Sequence, residues 1–225
     1  MKISAVIFDL DGVVLDSESL PYASWSWLEE KYGIRFDYRK IYTVFGGGGK
    51  KRKNTWDSIL SAYFDDPKEA EAASLWRRQE LDRRIAEKGI PIKDGFWDLW
   101  DYLKKIQMPN ILATSSPVFR IEREFALCKD KNPFTLMITG DDIVNYKPHP
   151  EIFLKAAAKL KVPIEECLIL EDSHNGIRAA VASGGIPVMV VDSLPPTKTI
   201  TKHVYRVVYN LRDIIDLLKE NRKEE

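Results

Sequence analysis

The sequence predicts an α/β protein, with a doubly wound parallel sheet and a small all-helical domain inserted after the first strand. Two observations predict this fold class. Short apolar segments rich in β-branched residues recur along the 225-residue chain and alternate with segments of helical periodicity. One long stretch, residues 19–88, departs from this alternation and has a helical pattern throughout.

Six apolar segments are predicted as strands. The first, residues 3–8, ends abruptly at Asp9-Leu10-Asp11-Gly12. The other five are residues 110–113, 136–139, 168–170, 188–191 and 204–208. Because strands that alternate with helices form parallel sheets covered on both faces, we expect a Rossmann-like core. Ligands of such sheets bind beyond the carboxyl ends of the strands.

The predicted domain boundaries follow from where the alternation stops and resumes. Residues 1–18 and 89–225 are assigned to the core, and residues 19–88 to the helical insert. The strongest helical patterns in the insert are those of residues 20–32, 51–64 and 67–86. The last of these begins at a proline, which favours the first turn of a helix.

Composition excludes several classes of function. Thirty-four basic residues balance thirty-four acidic ones, which does not suggest a nucleic-acid or membrane surface. The two cysteines have no C-x-x-C spacing, and the three histidines lack metal-site spacing. No apolar run approaches a spanning helix, and the N-terminus lacks the pattern of a signal peptide. We therefore expect a cytoplasmic, monomeric protein that acts on a small molecule.

Four segments place polar residues directly after predicted strands or in the loops between them. They are Asp9-Leu10-Asp11-Gly12, Thr114-Ser115-Ser116, Lys147-Pro148 and Glu171-Asp172-Ser173. Each alone is compatible with a turn, a helix cap or a solvated lysine. Together, in this order, they resemble the four signature motifs of the haloacid dehalogenase superfamily. The insert resembles the helical cap of one subgroup, so the resemblance covers essentially the whole chain.

The acidic residues of these motifs suit phosphoryl transfer. Asp9 is placed to be a nucleophile, because a carboxylate that attacks phosphorus splits hydrolysis into two steps. Asp9 and Asp172 are hard oxygen donors suited to Mg²⁺, with Glu171 as a supporting residue. The resemblance implies that the backbone carbonyl of Asp11 is a further metal ligand. The side chain of Asp11 would then be the general acid and base.

The remaining motifs supply binding and charge. Thr114, with the backbone amide of Ser115, is expected to hold the phosphoryl oxygens. Lys147 would offset the developing negative charge and pair with the carboxylates. The sequence therefore predicts a magnesium-dependent phosphatase that acts on a small phosphorylated metabolite through an aspartyl-phosphate.

A glycine run at residues 46–49 precedes Lys50, Lys51 and Arg52. It is not a phosphate-binding loop of the G-x-x-x-x-G-K-[ST] type, because Lys50 is followed by a second lysine and the first glycine is missing. Two interpretations stay open. The segment is either a cap turn that faces the active site and selects substrate, or a solvated basic turn.

Other activities known on this scaffold fit the residues less well. A dehalogenase needs neither Asp11 nor Asp172, and phosphonate-cleaving relatives typically have alanine in place of Asp11. A β-phosphoglucomutase-like mutase is the alternative, but a Lys-Asn pair usually follows its second motif, where this chain has Pro117 and Val118. A non-catalytic protein should have lost part of the acidic and lysine set, which is complete here.

Overall fold

The computed structural model describes residues 1–38, 41, 59–128 and 130–223. The chain forms two compact units. The first combines Met1–Asp16 with Ile90–Glu225, and the second is Ser17–Gly89. The glycine run and the basic residues Lys50, Lys51 and Arg52 lie outside the described residues, as does most of the predicted helix 51–64.

The regular elements alternate in the first unit and are helical in the second. The strands are β1 (Ala5–Phe8), β2 (Asn110–Ala113), β3 (Met137–Ile138), β4 (Cys167–Glu171), β5 (Ile186–Val190) and β6 (Arg206–Val208). The α-helices are α1 (Ser19–Tyr32), α2 (Pro67–Lys88), α3 (Phe96–Lys105), α4 (Val118–Leu127), α5 (Glu151–Leu160), α6 (His174–Ser183), α7 (Lys198–Thr201) and α8 (Arg212–Lys223). A 3₁₀ turn, Ile164–Glu166, precedes β4.

The strands form one sheet in the order β3-β2-β1-β4-β5-β6, and every neighbouring pair is parallel. This confirms the predicted α/β class with its parallel sheet. The order reverses on either side of β1, so the chain winds outward in both directions from the centre. A ligand site is expected at such a switch point, beyond the carboxyl ends of β1 and its neighbours.

Both faces of the sheet are buried, as the apolar composition of the strands requires. In β1, Ala5 and Ile7 belong to an apolar cluster that includes Phe153 of α5. The next residue, Phe8, meets the edge of Phe96 from α3, with ring centroids 6.0 Å apart. Successive side chains of a strand point to opposite faces, so β1 is covered by helices on both sides.

Strand boundaries differ from the predicted ones by at most two residues. Strand β2 has the predicted bounds, whereas β1 begins at Ala5 rather than residue 3. Strand β5 begins two residues before the predicted start and contains Pro187. Proline has no N–H to donate to the ladder, but its carbonyl accepts from Tyr205 N at 2.8 Å.

The second unit contains helices and no strand among its described residues, 17–38, 41 and 59–89. Its helices α1 and α2 pack together around a buried Trp25, whose ring meets the edge of Phe36 at 5.1 Å. Helix α2 begins at Pro67 as predicted, and the side chain of Asp66 accepts from Lys68 N at 2.9 Å. In the part of the chain that the structure describes, no helix combines the length and apolar character needed to cross a bilayer.

Two positions in the first turn of α5, one buried and one exposed, test the packing of the sheet. The Ile152 side chain is fully buried against the sheet, whereas Leu154 is 44% exposed. We expect Ile152→Ala to lower the free energy of unfolding by about 2–5 kcal/mol, because the helix cannot collapse into the space left. The matched Leu154→Ala variant should change it by less than about 0.5 kcal/mol. Equal losses in urea unfolding would contradict this packing.

Candidate active site

The register of the central strands brings the acidic motifs to one level. Phe8 of β1 is paired with Leu170 of β4, so the next residues, Asp9 and Glu171, lie side by side at the carboxyl ends of the two strands. The Asp9 N–H donates to the Leu170 carbonyl at 3.0 Å and continues the ladder by one residue. Asp172 follows Glu171 directly. Two strands distant in sequence thus place three carboxylates at one edge of the sheet.

These three carboxylates form a buried cluster. Asp9, Glu171 and Asp172 each offer an oxygen, and the three oxygens lie within 4.8 Å of one another. Their residues are 7%, 0% and 9% exposed. Across residues 1–38, 41, 59–128 and 130–223, no other group of three or more His, Cys, Asp or Glu side chains is so arranged. Buried carboxylates this close repel one another unless cations balance them.

One lysine enters this cluster from another loop. The Lys147 ammonium donates to Asp9 Oδ1 at 2.6 Å and to Glu171 Oε1 at 2.5 Å. The ammonium also lies 5.1 Å from the ring centre of Phe153, which belongs to the core beneath the site. The ion pairs expected for Lys147 are therefore present, and its charge is fixed between the first and fourth motifs.

The pKa values of this pair reflect burial and charge. Burial alone would lower the pKa of Lys147, but the Asp9 and Glu171 carboxylates outweigh it and raise the pKa above its ordinary value. Burial raises the pKa of Asp9 to about 7, with Lys147 opposing the rise and Glu171 adding to it. Asp9 and Glu171 share the Lys147 ammonium, and this pairing does not fully offset the effect of burial on the pKa of Asp9.

Glu171 uses both of its oxygens within the protein. Oε1 accepts from Lys147, while Oε2 accepts from the backbone N and the hydroxyl of Ser173 at 2.9 and 3.0 Å. The Ser173 side chain also caps α6 by accepting from Gly176 N at 3.0 Å. A Cβ at Gly176 would collide with the Glu171 carboxylate, so only glycine fits there. Glu171 is thus held in place by the cap of the following helix.

Gly12 allows the first acidic motif to turn away from β1. Its φ is +74°, a left-handed conformation that side chains disfavour. A Cβ on Gly12 would also collide with the Asp172 carboxylate. The turn at Gly12 therefore has a second cause. The backbone must approach Asp172 closely for the first and fourth motifs to meet.

The second motif leaves β2 beside the first. Leu112 is paired with Phe8, so Thr114 lies two residues beyond that level. Thr114 is buried, and its hydroxyl accepts from Ser116 N at 3.1 Å, which tightens the loop. Ser115 is half-buried between them. The Ser116 hydroxyl in turn donates to Asp11 Oδ2 at 3.3 Å, which joins the first and second motifs.

Two residues of α4 that the sequence analysis did not single out also reach the site. Arg120 donates to Asp11 Oδ1 at 3.1 Å and to Glu124 Oε1 at 2.7 Å. Burial raises the pKa of Glu124 to about 6, and the negative charge of Asp11 adds to this rise. The only sequence signal was an Arg and a Glu four residues apart, which is common on helix surfaces and carries no functional information.

The predicted residues are therefore located as follows. Asp9, Glu171, Asp172 and Lys147 meet in one buried cluster. Asp11 lies beside them and is joined to the second motif. The predicted selectivity residues Lys50, Lys51 and Arg52 lie outside the described part of the chain.

The donor set suits a hard divalent cation. All the side-chain ligands on offer are carboxylate oxygens, which Mg²⁺ and Ca²⁺ prefer and which soft metals do not. The negative charge left over after pairing with Lys147 is what a divalent cation would neutralise. The residues present therefore fit Mg²⁺.

Comparison with known proteins identifies the family. The model of the haloacid dehalogenase-like hydrolase family matches residues 3–184. A phosphorylated carbohydrates phosphatase from Thermotoga maritima is 28% identical over 96% of this chain and 98% of its own length. A β-phosphoglucomutase from Bacillus subtilis is 30% identical over 85% of this chain and 84% of its own length.

A solved structure supports the same assignment at the level of the fold. The crystal structure of an HAD family hydrolase from Deinococcus radiodurans aligns with a TM-score of 0.78, covering 97% of this chain and 96% of that one at 20% identity. The family match spans most of the chain and includes the whole cluster of carboxylates and lysine. The chain belongs to the haloacid dehalogenase-like hydrolase family.

Proposed function

We propose that the protein is a phosphatase that hydrolyses a small phosphorylated metabolite through an aspartyl-phosphate on Asp9, with Mg²⁺ as its cofactor. The observation that carries the proposal is the buried cluster of three carboxylates around one lysine at the carboxyl edge of the sheet. A nucleophilic carboxylate, a compensating cation and a general acid are what this reaction needs. The cluster supplies the first two, and Asp11 lies beside it.

In the first step, an oxygen of Asp9 attacks phosphorus and the bond to the leaving alcohol breaks. Asp11 gives its proton to the departing oxygen. Thr114 and the Ser115 amide hold the phosphoryl oxygens, while Lys147 offsets the charge that builds on them. Lys147 also keeps Asp9 oriented, since its ammonium is only 2.6 Å from Oδ1.

In the second step, water attacks the phosphorus of the aspartyl-phosphate and the bond to Asp9 breaks. Asp11, now a carboxylate, takes the proton from that water. Phosphate leaves, and Asp11 is again protonated for the next turnover. The same side chain thus acts as the general acid in the first step and as the general base in the second.

Three groups of the chain would hold the metal. Asp9 and Asp172 offer side-chain oxygens, and the backbone carbonyl of Asp11 offers a third ligand. Glu171 would contribute through water, because both of its oxygens already accept hydrogen bonds from Lys147 and Ser173. When bound, Mg²⁺ supplies positive charge between the nucleophile and the anionic phosphate.

Hydrolysis is favoured over the mutase alternative by the start of α4. A mutase has to hold the far phosphate of a phosphosugar near the second motif. Here Pro117 has no N–H, and the N–H of Val118 donates to Asp141 Oδ2 at 2.9 Å. The nearby charge of Arg120 is paired with two carboxylates, those of Asp11 and Glu124. These groups leave little to attract a second phosphate.

The names of the relatives indicate which class of substrate to assay first. The Thermotoga maritima relative is named as a phosphatase of phosphorylated carbohydrates, so sugar phosphates are the first substrates to assay. Residues 19–88 are proposed as the helical cap domain, and residues 1–18 and 89–225 as the catalytic core. Lys50, Lys51 and Arg52 are proposed to select anionic substrates from that cap.

Replacing the nucleophile tests the first step. We expect Asp9→Asn to lower turnover of p-nitrophenyl phosphate by more than about 10³-fold, because the amide cannot form the covalent intermediate. The circular dichroism spectrum should be unchanged, since the shape is kept. Asp101→Asn, an exposed substitution on α3, is the control and should retain full activity. A tenth of wild-type turnover in purified Asp9→Asn would contradict the assignment.

The raised pKa of Asp9 gives the metal site a pH dependence. Its pKa of about 7 lies above the unfolded value, so without metal its contribution to stability is present at low pH and is lost as pH rises to about 7. Mg²⁺ competes with that proton. We expect millimolar Mg²⁺ to raise the melting temperature more at about pH 8 than at about pH 5.

Asp172→Asn is the matched variant for the metal experiment and should abolish the Mg²⁺-dependent rise in melting temperature. Chelation should stop turnover of p-nitrophenyl phosphate, and added Mg²⁺ should restore it. Full activity in excess chelator would rule out the proposed cofactor. An equal rise at both pH values would contradict the role of Asp9 as a ligand.

Product analysis separates hydrolysis from isomerisation. With β-glucose 1-phosphate as substrate, we expect inorganic phosphate and glucose, because Pro117 and Val118 stand where a mutase has the Lys-Asn pair that binds the far phosphate of the sugar. Coupled assays for phosphate and for glucose 6-phosphate measure both products. Glucose 6-phosphate forming faster than phosphate, with a bisphosphate primer present, would establish the mutase instead.

A further inference from the structure

The first turn of α4 is joined to the first acidic motif by a chain of charged groups. Arg120 reaches Asp11 Oδ1 with one nitrogen at 3.1 Å, and it reaches Glu124 Oε1 with its Nε at 2.7 Å. A guanidinium is planar, so its orientation is fixed when two of its nitrogens are engaged by different partners. Arg120 is thereby held between one residue of the site and one of its own helix.

Glu124, the partner of this arginine on α4, is largely buried. Its residue is 7% exposed, and its second oxygen, Oε2, is buried with no hydrogen-bond partner among the described residues. Leaving a buried carboxylate oxygen without a partner is unfavourable. Its first oxygen, Oε1, accepts from Arg120, so the glutamate holds the guanidinium and partly offsets its charge.

These contacts restrain the Asp11 carboxylate. Asp11 lies on a turn beyond β1, and its side chain is 23% exposed. Ser116 contacts one of its oxygens and Arg120 the other, which restrains rotation of the carboxylate. The ion pair itself adds little to stability, since the Arg120 side chain is 39% exposed. Its effect should therefore be seen in catalysis rather than in stability.

We infer that Arg120, anchored by Glu124, is a positioning residue that orients Asp11 for proton transfer to and from the reacting oxygens. The inference rests on the proposed phosphatase function. Misplacing a reacting group by about 1 Å can cost about 10²-fold in rate. Loss of Arg120 should therefore impair those steps in which Asp11 moves a proton.

Leaving-group dependence distinguishes this role from a structural one. The substrates are p-nitrophenyl phosphate, whose leaving group needs little protonation, and p-nitrobenzyl phosphate, whose alcohol must be protonated. The ratio kcat/KM is compared, because it reports steps up to departure of the leaving group. Arg120→Gln should lower kcat/KM for p-nitrobenzyl phosphate about tenfold or more, and that for p-nitrophenyl phosphate by much less.

Three further variants complete the experiment. Arg123→Gln removes an exposed arginine from the same helix and should leave both ratios unchanged. Arg120→Lys keeps the charge, but an ammonium is not a planar group that can engage two carboxylates. We therefore expect the same difference between the two substrates, with a smaller loss of kcat/KM for p-nitrobenzyl phosphate. In the double variant with Asp11→Asn, Arg120→Gln should cause no further loss, because it acts only through Asp11.

The outcomes separate this inference from the proposed function. If Asp11→Asn lowers kcat/KM equally for both substrates, the acid role of Asp11 is wrong and the inference falls with it. If Asp11→Asn discriminates but Arg120→Gln does not, or if their losses multiply in the double variant, only the role of Arg120 is wrong. Should Arg120→Gln fail to fold, as judged by circular dichroism, Arg120→Lys decides by the same comparison.

Discussion

Carboxylates are costly to bury, and the carboxyl edge of this sheet buries three of them. Asp9, Glu171 and Asp172 lie with oxygens within 4.8 Å of one another, and the ammonium of Lys147 is paired with two of them. Net negative charge in a buried site is sustained only by a cation or by protons. The raised pKa of Asp9 reflects relief of this charge by protonation. Binding of a divalent metal is the other way to relieve it. The same imbalance that makes the site unfavourable without metal favours binding of a cation, and in the proposed mechanism a bound cation would leave Asp9 ionised as the nucleophile.

A few local features of the fold hold these carboxylates close together. Parallel pairing of β1 and β4 sets Asp9 level with Glu171, so two motifs far apart in sequence converge without any adjustment of the strands. Gly12 turns the chain where its backbone passes Asp172, and the cap of α6 holds Glu171. Each acidic residue is therefore fixed by a strand end, a turn or a helix cap, which are local features that the rigid sheet supports. Preorganisation of this kind is what electrostatic catalysis requires.

The sequence predicted these features to different extents, for physical reasons. Apolar strands that end in acidic motifs determine the sheet and the position of Asp9, and β2 was predicted with its observed bounds because its apolar run is bounded by polar residues. Strand β5 begins two residues before its predicted start and includes Pro187, a residue that disfavours ladder pairing in general. Arg120 could not be predicted, since its contact with Asp11 joins residues 109 positions apart and depends on how α4 is rotated about its axis. No periodicity encodes that rotation at single-residue precision.

The central claim is that Asp9 becomes covalently phosphorylated, and the stereochemical course at phosphorus tests it most directly. Each in-line displacement inverts the configuration of phosphorus. A phosphorothioate monoester made chiral with oxygen isotopes is hydrolysed in water carrying a third isotope, and the configuration of the released thiophosphate is determined. Attack by Asp9 followed by attack by water predicts net retention. Net inversion would show that water attacks the substrate directly, and it would contradict the account.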